Sequence, residues 1–156
     1  MKKLILLLFI PFVSFSQNLT FIGENSYPST IEFEFENDKE NLFITFLKDN
    51  DNIMAMIKTK DEYDVFKPTI DGKMIIYLDN GKVISSSTPN YKDYVDYFCI
   101  SIYPLTKSDI DDIINSNINS IRYAIVDKYE KITNRVASNK ANSPINKSLK
   151  EFIKLE

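Results

Sequence analysis

Five carboxylates crowd the stretch between positions 32 and 40: Glu32, Glu34, Glu36, Asp38 and Glu40. The first three alternate with Ile31, Phe33 and Phe35. Residues two apart share one face of a strand, so this spacing puts three carboxylates on a wet face and three apolar side chains on a dry one. Such a row can hold a hard cation through several oxygen ligands, or dock a basic partner. It can equally be a solvated face with Lys48 or Lys58 opposite on neighbouring strands, and that simpler arrangement is the expected one. Asp49, Asn50, Asp51 and Asn52 begin like a calcium loop but lack the glycine and the downstream glutamate at the required offsets, so a hairpin turn is expected instead. Tyr91, Tyr94, Tyr97 and Tyr103 could stack on sugars or pack into a protein partner. In a straight strand Tyr91 and Tyr97 face away from Tyr94, so partly buried sheet tyrosines are expected rather than one platform. Asp93 with Asp96, or Asp109 with Asp111 and Asp112, would supply the paired carboxyls of glycoside hydrolysis. Nothing in the sequence places either set in a cleft, and the second set has a helix-start explanation. No catalytic, cofactor-binding or metal-ligating residue is assigned, and no cofactor is expected.

Two absences narrow the chemistry further. The chain has no His and no Trp. Without His, serine and cysteine nucleophiles lose their usual base, and zinc sites built on His and Cys are excluded. Three glycines in the whole chain leave no room for a glycine-rich phosphate loop. A single cysteine, Cys99, rules out a disulfide within the monomer. It lies between Phe98 and Ile100, so a buried, inert thiol is expected.

The elements that must position these residues read mainly as strands. Residues 18–22, 31–36, 42–48 and 53–58 are strand runs separated by turn chemistry. Residues 65–86 read as a three-stranded meander with turns at Asp71-Gly72 and at Asp79, Asn80 and Gly81. Pro68 pushes its strand toward an edge or a bulge. Residues 85–93 have no apolar period and read as a loop. The stretch 94–126 is the expected centre of the fold: an aromatic, β-branched strand over 94–103, a short helix over 106–116, and a returning strand over 118–126. Thr106 is a good N-cap, with Asp109 three residues on to answer the orphan amides. Residues 127–142 are least regular, with 128–133 read as an extension of a strand. Ser143 and Pro144 signal a last helix, over 143–154, whose apolar stripe is Ile145, Leu149, Phe152 and Ile153.

The first sixteen residues read as a signal peptide: Lys2 and Lys3, an apolar run over 4–13, then Ser14 and Ser16 at the small-residue positions, with cleavage expected between Ser16 and Gln17. The apolar run is well short of the roughly 20 residues of a spanning helix. Residues 17–156 are then a single β-rich domain, about the size that buries roughly 70% of its unfolded surface. The whole chain carries a net charge of −3. Removing Lys2 and Lys3 leaves 17 basic residues against 22 acidic ones, a net of −5. That surface argues against nucleic acid and against anionic membranes.

The leader ending in Ser14, Phe15, Ser16 and Gln17 resembles those of exported proteins from Bacteroidetes-type bacteria. The segment 76–83, with its Asp79-Asn80-Gly81 turn, followed by 102–109 and 118–122, is similar in pattern to small exported β-rich proteins of that kind. The resemblance implies a strand pair, a strand, a short Thr-capped helix and a closing strand over about half of the mature chain. It implies no activity and no catalytic residues.

The expected fold is α+β: an antiparallel twisted sheet or two-layer β-sandwich of about seven to nine strands, with the helices at about 106–116 and 143–154 packed on one side. The expected function is an exported, non-enzymatic binding or interaction module of the periplasm or cell exterior, partnered by another exported protein or a cell-surface component. The alternative is a small carboxylate-dependent hydrolase working outside the cytoplasm, which needs two acidic groups facing each other across a pocket at roughly 5 to 10 Å.

Overall fold

The turn at Asp49 to Asn52 sets the longest hairpin. Asn50 takes a φ of +52°, a left-handed conformation that Asn tolerates better than most residues. It joins β4 (Leu42–Asp49) to β5 (Asn52–Lys60), which pair from Leu42–Thr59 to Asp49–Asn52. The structure is a computed structural model that describes residues 18–61 and 67–154. The expected signal peptide over 1–16 lies outside the described residues, as does part of the strand read over 65–70.

Around this hairpin the first sheet grows in both directions. β1 (Asn18–Ile22), β2 (Asn25–Ser29), β4, β5, β10 (Phe98–Pro104) and β9 (Tyr91–Val95) lie in that order, with β3 (Phe33–Phe35) also on β4. The second sheet holds β12 (Ile132–Ser138), β11 (Ile118–Val126), β7 (Met74–Leu78) and β8 (Val83–Ser86), with β6 (Thr69–Ile70) also on β11. Every pairing is antiparallel. With α1 (Lys107–Asn115) and α2 (Ile145–Ile153), this is the expected α+β class of curled antiparallel sheets.

The main core mixes residues of both sheets and both helices. Leu42, Ile44 and Phe46 of β4 join Ile53, Ala55 and Ile57 of β5, Met74, Ile76 and Leu78 of β7, and Ile121, Tyr123 and Ile125 of β11. α1 contributes Ile113, and α2 contributes Ile145, Leu149 and Phe152. The opposite face of the first sheet is covered too: Leu47, Met56 and Ile102 form a second cluster with Ile22 and Tyr27 of the β1–β2 hairpin. Burial on both faces is why β4, β5 and β10 read as near-continuous apolar runs. Cys99 of β10 is fully buried in the main core. A thiol reagent should therefore label the native protein far more slowly than the urea-unfolded chain, and equal rates would disprove the burial.

Along β11, Ile118 and Ile121 both point into the core although they stand three apart. A register shift between Ile118 and Ser120 makes this possible, because the irregularity re-aims the strand by one residue. Beyond β3, the amide of Glu36 donates to Ser138 and the amide of Ser138 to Glu36, at 2.9 and 2.8 Å. Asn37 Nδ2 donates to the Val136 carbonyl at 2.6 Å. These bonds stitch the edge of one sheet to the edge of the other.

α1 carries the capping box that its sequence implies: Asp109 N–H donates to Thr106 Oγ1 and Thr106 N–H to the Asp109 carboxylate. α2 starts differently from expectation. Ser143 does not cap it, and Pro144 at the N-cap has no side chain to offer. Asn117 supplies the acceptor from a distant segment, taking a bond from Asn146 N–H at 3.2 Å.

Four other expectations need correction. The described residues hold twelve strands, more than the seven to nine expected. The run read as one strand over 94–103 is a hairpin, β9–β10, turning at Asp96 and Tyr97 with φ of +50° and +68°. Asp71-Gly72 does not join two paired strands: β6 pairs with β11, and Asp71 N–H donates to the Ala124 carbonyl of β11. Of the residues 128–133 read as a strand extension, only Ile132 and Thr133 are in a strand. Asp127 Oδ1 accepts from Tyr129 N–H and Lys131 N–H, forming a turn, and β12 begins at Ile132.

Candidate functional site

The acidic stripe is engaged on the surface. Lys58 Nζ meets Glu32 at 2.6 Å, Lys140 Nζ meets Glu36 at 3.0 Å, and Asn41 Nδ2 donates to Glu34 at 2.5 Å. Lys58 also sits over the rings of Phe43 and Phe98, a cation–π sandwich on the outer face of the first sheet. The Lys140 ammonium is held more firmly protonated by its bond to Glu36. Four other carboxylates are also occupied. Asp112 pairs with Lys82, Asp109 caps α1, and Asp93 accepts from the Tyr91 hydroxyl and the Tyr94 amide. The Asp71 carboxyl lies below its ordinary range because Lys92 bonds it at 2.7 Å.

The tyrosines do not form a platform either. Tyr97 is exposed, Tyr94 gives its hydroxyl to the Asp61 carbonyl, and Tyr103 is fully buried with its hydroxyl donating to the Gly72 carbonyl at 3.2 Å.

A different group of polar side chains comes together at one end of the space between the sheets. On β12 the odd positions face inward: Ala137 is buried and Arg135 is largely so. Arg135 stands opposite Tyr123 of β11 in the ladder. From the other sheet come Thr59 of β5 and Cys99 of β10, both fully buried and paired in register, with Asp61 just beyond β5. The guanidinium reaches the Asp61 carboxylate through Nη2 only at 4.0 Å, with side-chain exposures of 12% and 17%. Arg135 Nε and Nη1 are buried without a hydrogen-bond partner, and so is the Tyr123 hydroxyl. Burial pushes the Tyr123 pKa up, while Thr59 and Arg135 beside the hydroxyl pull it down without reaching good hydrogen-bond geometry.

Buried donors are normally satisfied, and a lost partner costs about 1–3 kcal/mol, more for a charged group. Three such atoms in one cluster mark a strained polar centre. Two open cavities meet there. One, of about 260 Å³, includes Pro68, Ile125, Tyr129 and Thr133 in its lining, and the other, of about 530 Å³, is bordered by Lys39 and Glu40. Asp61 and Arg135 belong to both walls. A third opening, of about 790 Å³, lies on the outer face of the second sheet, where Ile75, Arg122, Val126 and Ile132 line it.

Sequence reasoning missed this centre, although one signal was present: Arg135 is one of only two arginines, and it falls on the inward side of a strand. The raised tyrosines predict a pH dependence. Burial lifts the pKa of both Tyr103 and Tyr123 above the ordinary value near 10. The stability they contribute is therefore fully present below about pH 10 and is lost as pH rises beyond it, because the unfolded chain ionises first. The urea midpoint should fall between pH 9 and pH 11, and Tyr103→Phe should make that fall shallower. An identical fall in the variant would contradict this.

Among the described residues no helix is long and apolar enough to cross a membrane, and no group of three His, Cys, Asp or Glu is placed to hold a metal ion. Compared with protein-family models, with curated proteins and with solved structures, the chain shows no match.

Proposed function

We propose that this chain is an exported, non-enzymatic binding module of the periplasm or cell exterior, and that its recognition cleft is the junction of the two cavities at Asp61 and Arg135. One observation carries the reading: buried donors from Arg135 and Tyr123 stand without partners beside openings large enough for a small molecule or a peptide side chain. A set of unspent donors suits recognition better than catalysis in a chain that has no His to move protons. Export is supported by the N-terminal pattern of Lys2, Lys3 and the apolar run that follows.

A hydrolase remains the second reading because Glu40 and Asp61 border the same cavity. Chromogenic glycosides and esters distinguish the two. The binding module releases no product above the blank, whereas release that is abolished by Glu40→Gln would replace this reading with the hydrolase. Cell fractionation with N-terminal sequencing tests export: the mature chain should begin at Gln17 outside the cytoplasm, and an intact Met1 in the cytoplasm would refute it.

A further inference from the structure

We propose that the Arg135–Tyr123 centre binds the carboxylate of a small, partly apolar molecule. This deepens the binding-module reading and rests on it. The site offers one guanidinium whose charge is already partly offset by Asp61 at 4.0 Å. A singly charged carboxylate fits that balance. Around it the smaller cavity sets Lys128, Lys131 and Arg135 against Asp61 and Asp127, a net of one positive charge, which a phosphate dianion would exceed. Arg135 Nε and Nη1 and the Tyr123 hydroxyl are the unspent donors, and all three belong to side chains that the two sheets enclose. Arg135 lines both cavities, and Tyr123, which lines neither, stands behind its guanidinium. The wall mixes Pro68, Ile125 and the ring of Tyr129 with the charged Asp127, Lys128 and Lys131. A cavity of about 260 Å³ has room for a short-chain acid or the side chain of an acidic peptide residue. Arg recognises carboxylates well because its donors are fixed in a plane and stay charged at any working pH.

The chain provides its own control. It has two arginines, Arg122 and Arg135, so an NMR spectrum of arginine Nε–H groups holds two signals. Arg122 lies exposed on the outer face of the second sheet, away from the centre. The probes are butyrate, inorganic phosphate and chloride, each titrated into the purified protein at matched ionic strength. Butyrate should move the Arg135 signal saturably and leave Arg122 in place, and phosphate and chloride should move neither. Tyr123→Phe, which leaves both linings unchanged, should weaken butyrate far less than loss of the Arg135 guanidinium does. Arg135→Lys, followed by calorimetry because the Arg135 signal is gone, should abolish saturable butyrate binding while keeping the charge. Signals that stay still with butyrate, that move together, or that respond equally to phosphate would each overturn the proposal. Those results concern the ligand of the cleft, whereas turnover of a substrate or an intact Met1 in the cytoplasm would overturn the binding-module reading itself.

Discussion

Phe46→Ala is expected to remove about 3–5 kcal/mol of stability, the largest loss of any single truncation considered for this chain. Phe46 lies midway along β4, is fully buried, and faces the space between the sheets with Ile44 and Leu42 two and four residues away on the same side. Its partner across the ladder is Ala55, which is too small to fill the void that truncation would leave. Its backbone is fixed as well: Phe46 N–H donates to Thr30 Oγ1, and the Phe46 carbonyl accepts from Thr30 N–H, both at 3.0 Å. The strand therefore cannot close inward without breaking these bonds, so the cavity term is paid nearly in full. Against a total stability of about 5–15 kcal/mol the variant keeps only a thin margin. Urea denaturation checks it: the midpoint should drop sharply with an unchanged slope, and a loss under about 1 kcal/mol would show that the core repacks around the gap.

The second large effect has the opposite sign. Replacing Asp61 by Leu together with Arg135 by Met should stabilise the fold by about 1–3 kcal/mol, as substitution of buried ion pairs by apolar groups of similar size often does. The present pair is long at 4.0 Å and little exposed, so it gains modest attraction for a substantial loss of hydration. Two guanidinium nitrogens contribute no hydrogen bond at all in return. Changing Arg135 alone is not equivalent, because it strips Asp61 of a nearby cation, and that single variant should be less stable than the double one. A double variant with a lower urea midpoint than the parent would contradict this account. A more stable double variant that no longer responds to butyrate would show stability given up for recognition.

Local chemistry was readable from sequence; meetings between distant segments were not. Thr106 and Asp109 announce α1 because the capping box needs only four consecutive residues. The alternation through 31–36 predicts the dry side of β3 at Phe33 and Phe35 but not at Ile31, which precedes the strand and is exposed, and Lys58 lies opposite the stripe because strand faces keep their polarity across a ladder. The β9–β10 turn was invisible because Asp96 and Tyr97 take positive φ without a glycine to mark it. The Asp71-Gly72 signal misled for another reason. Gly72 does take a φ of +76°, but β11, more than fifty residues later, offers β6 a better partner than β7 does. The Arg135 centre lies furthest from sequence reach. Its members stand at positions 59, 61, 99, 123 and 135, and only two ladders and the packing of one sheet on the other bring them together.

The position of β11 in the middle of the second sheet has a consequence for the order in which the molecule can assemble. A chain emerging N-terminus first can pair β1 through β5 from residues 18–60 alone, since each of those strands bonds a near neighbour. β6 and the β7–β8 hairpin then have no sheet to join until residues 118–126 appear, because β11 is the strand that both of them pair with. For that interval half of the core lies open, with Phe46 and Ile57 lacking the layer that will cover them. Slow closure of distant pairings over exposed apolar strands is the situation in which chains aggregate. A nascent chain arrested before residue 118 should therefore depend on a chaperone, and one released after residue 138 should not.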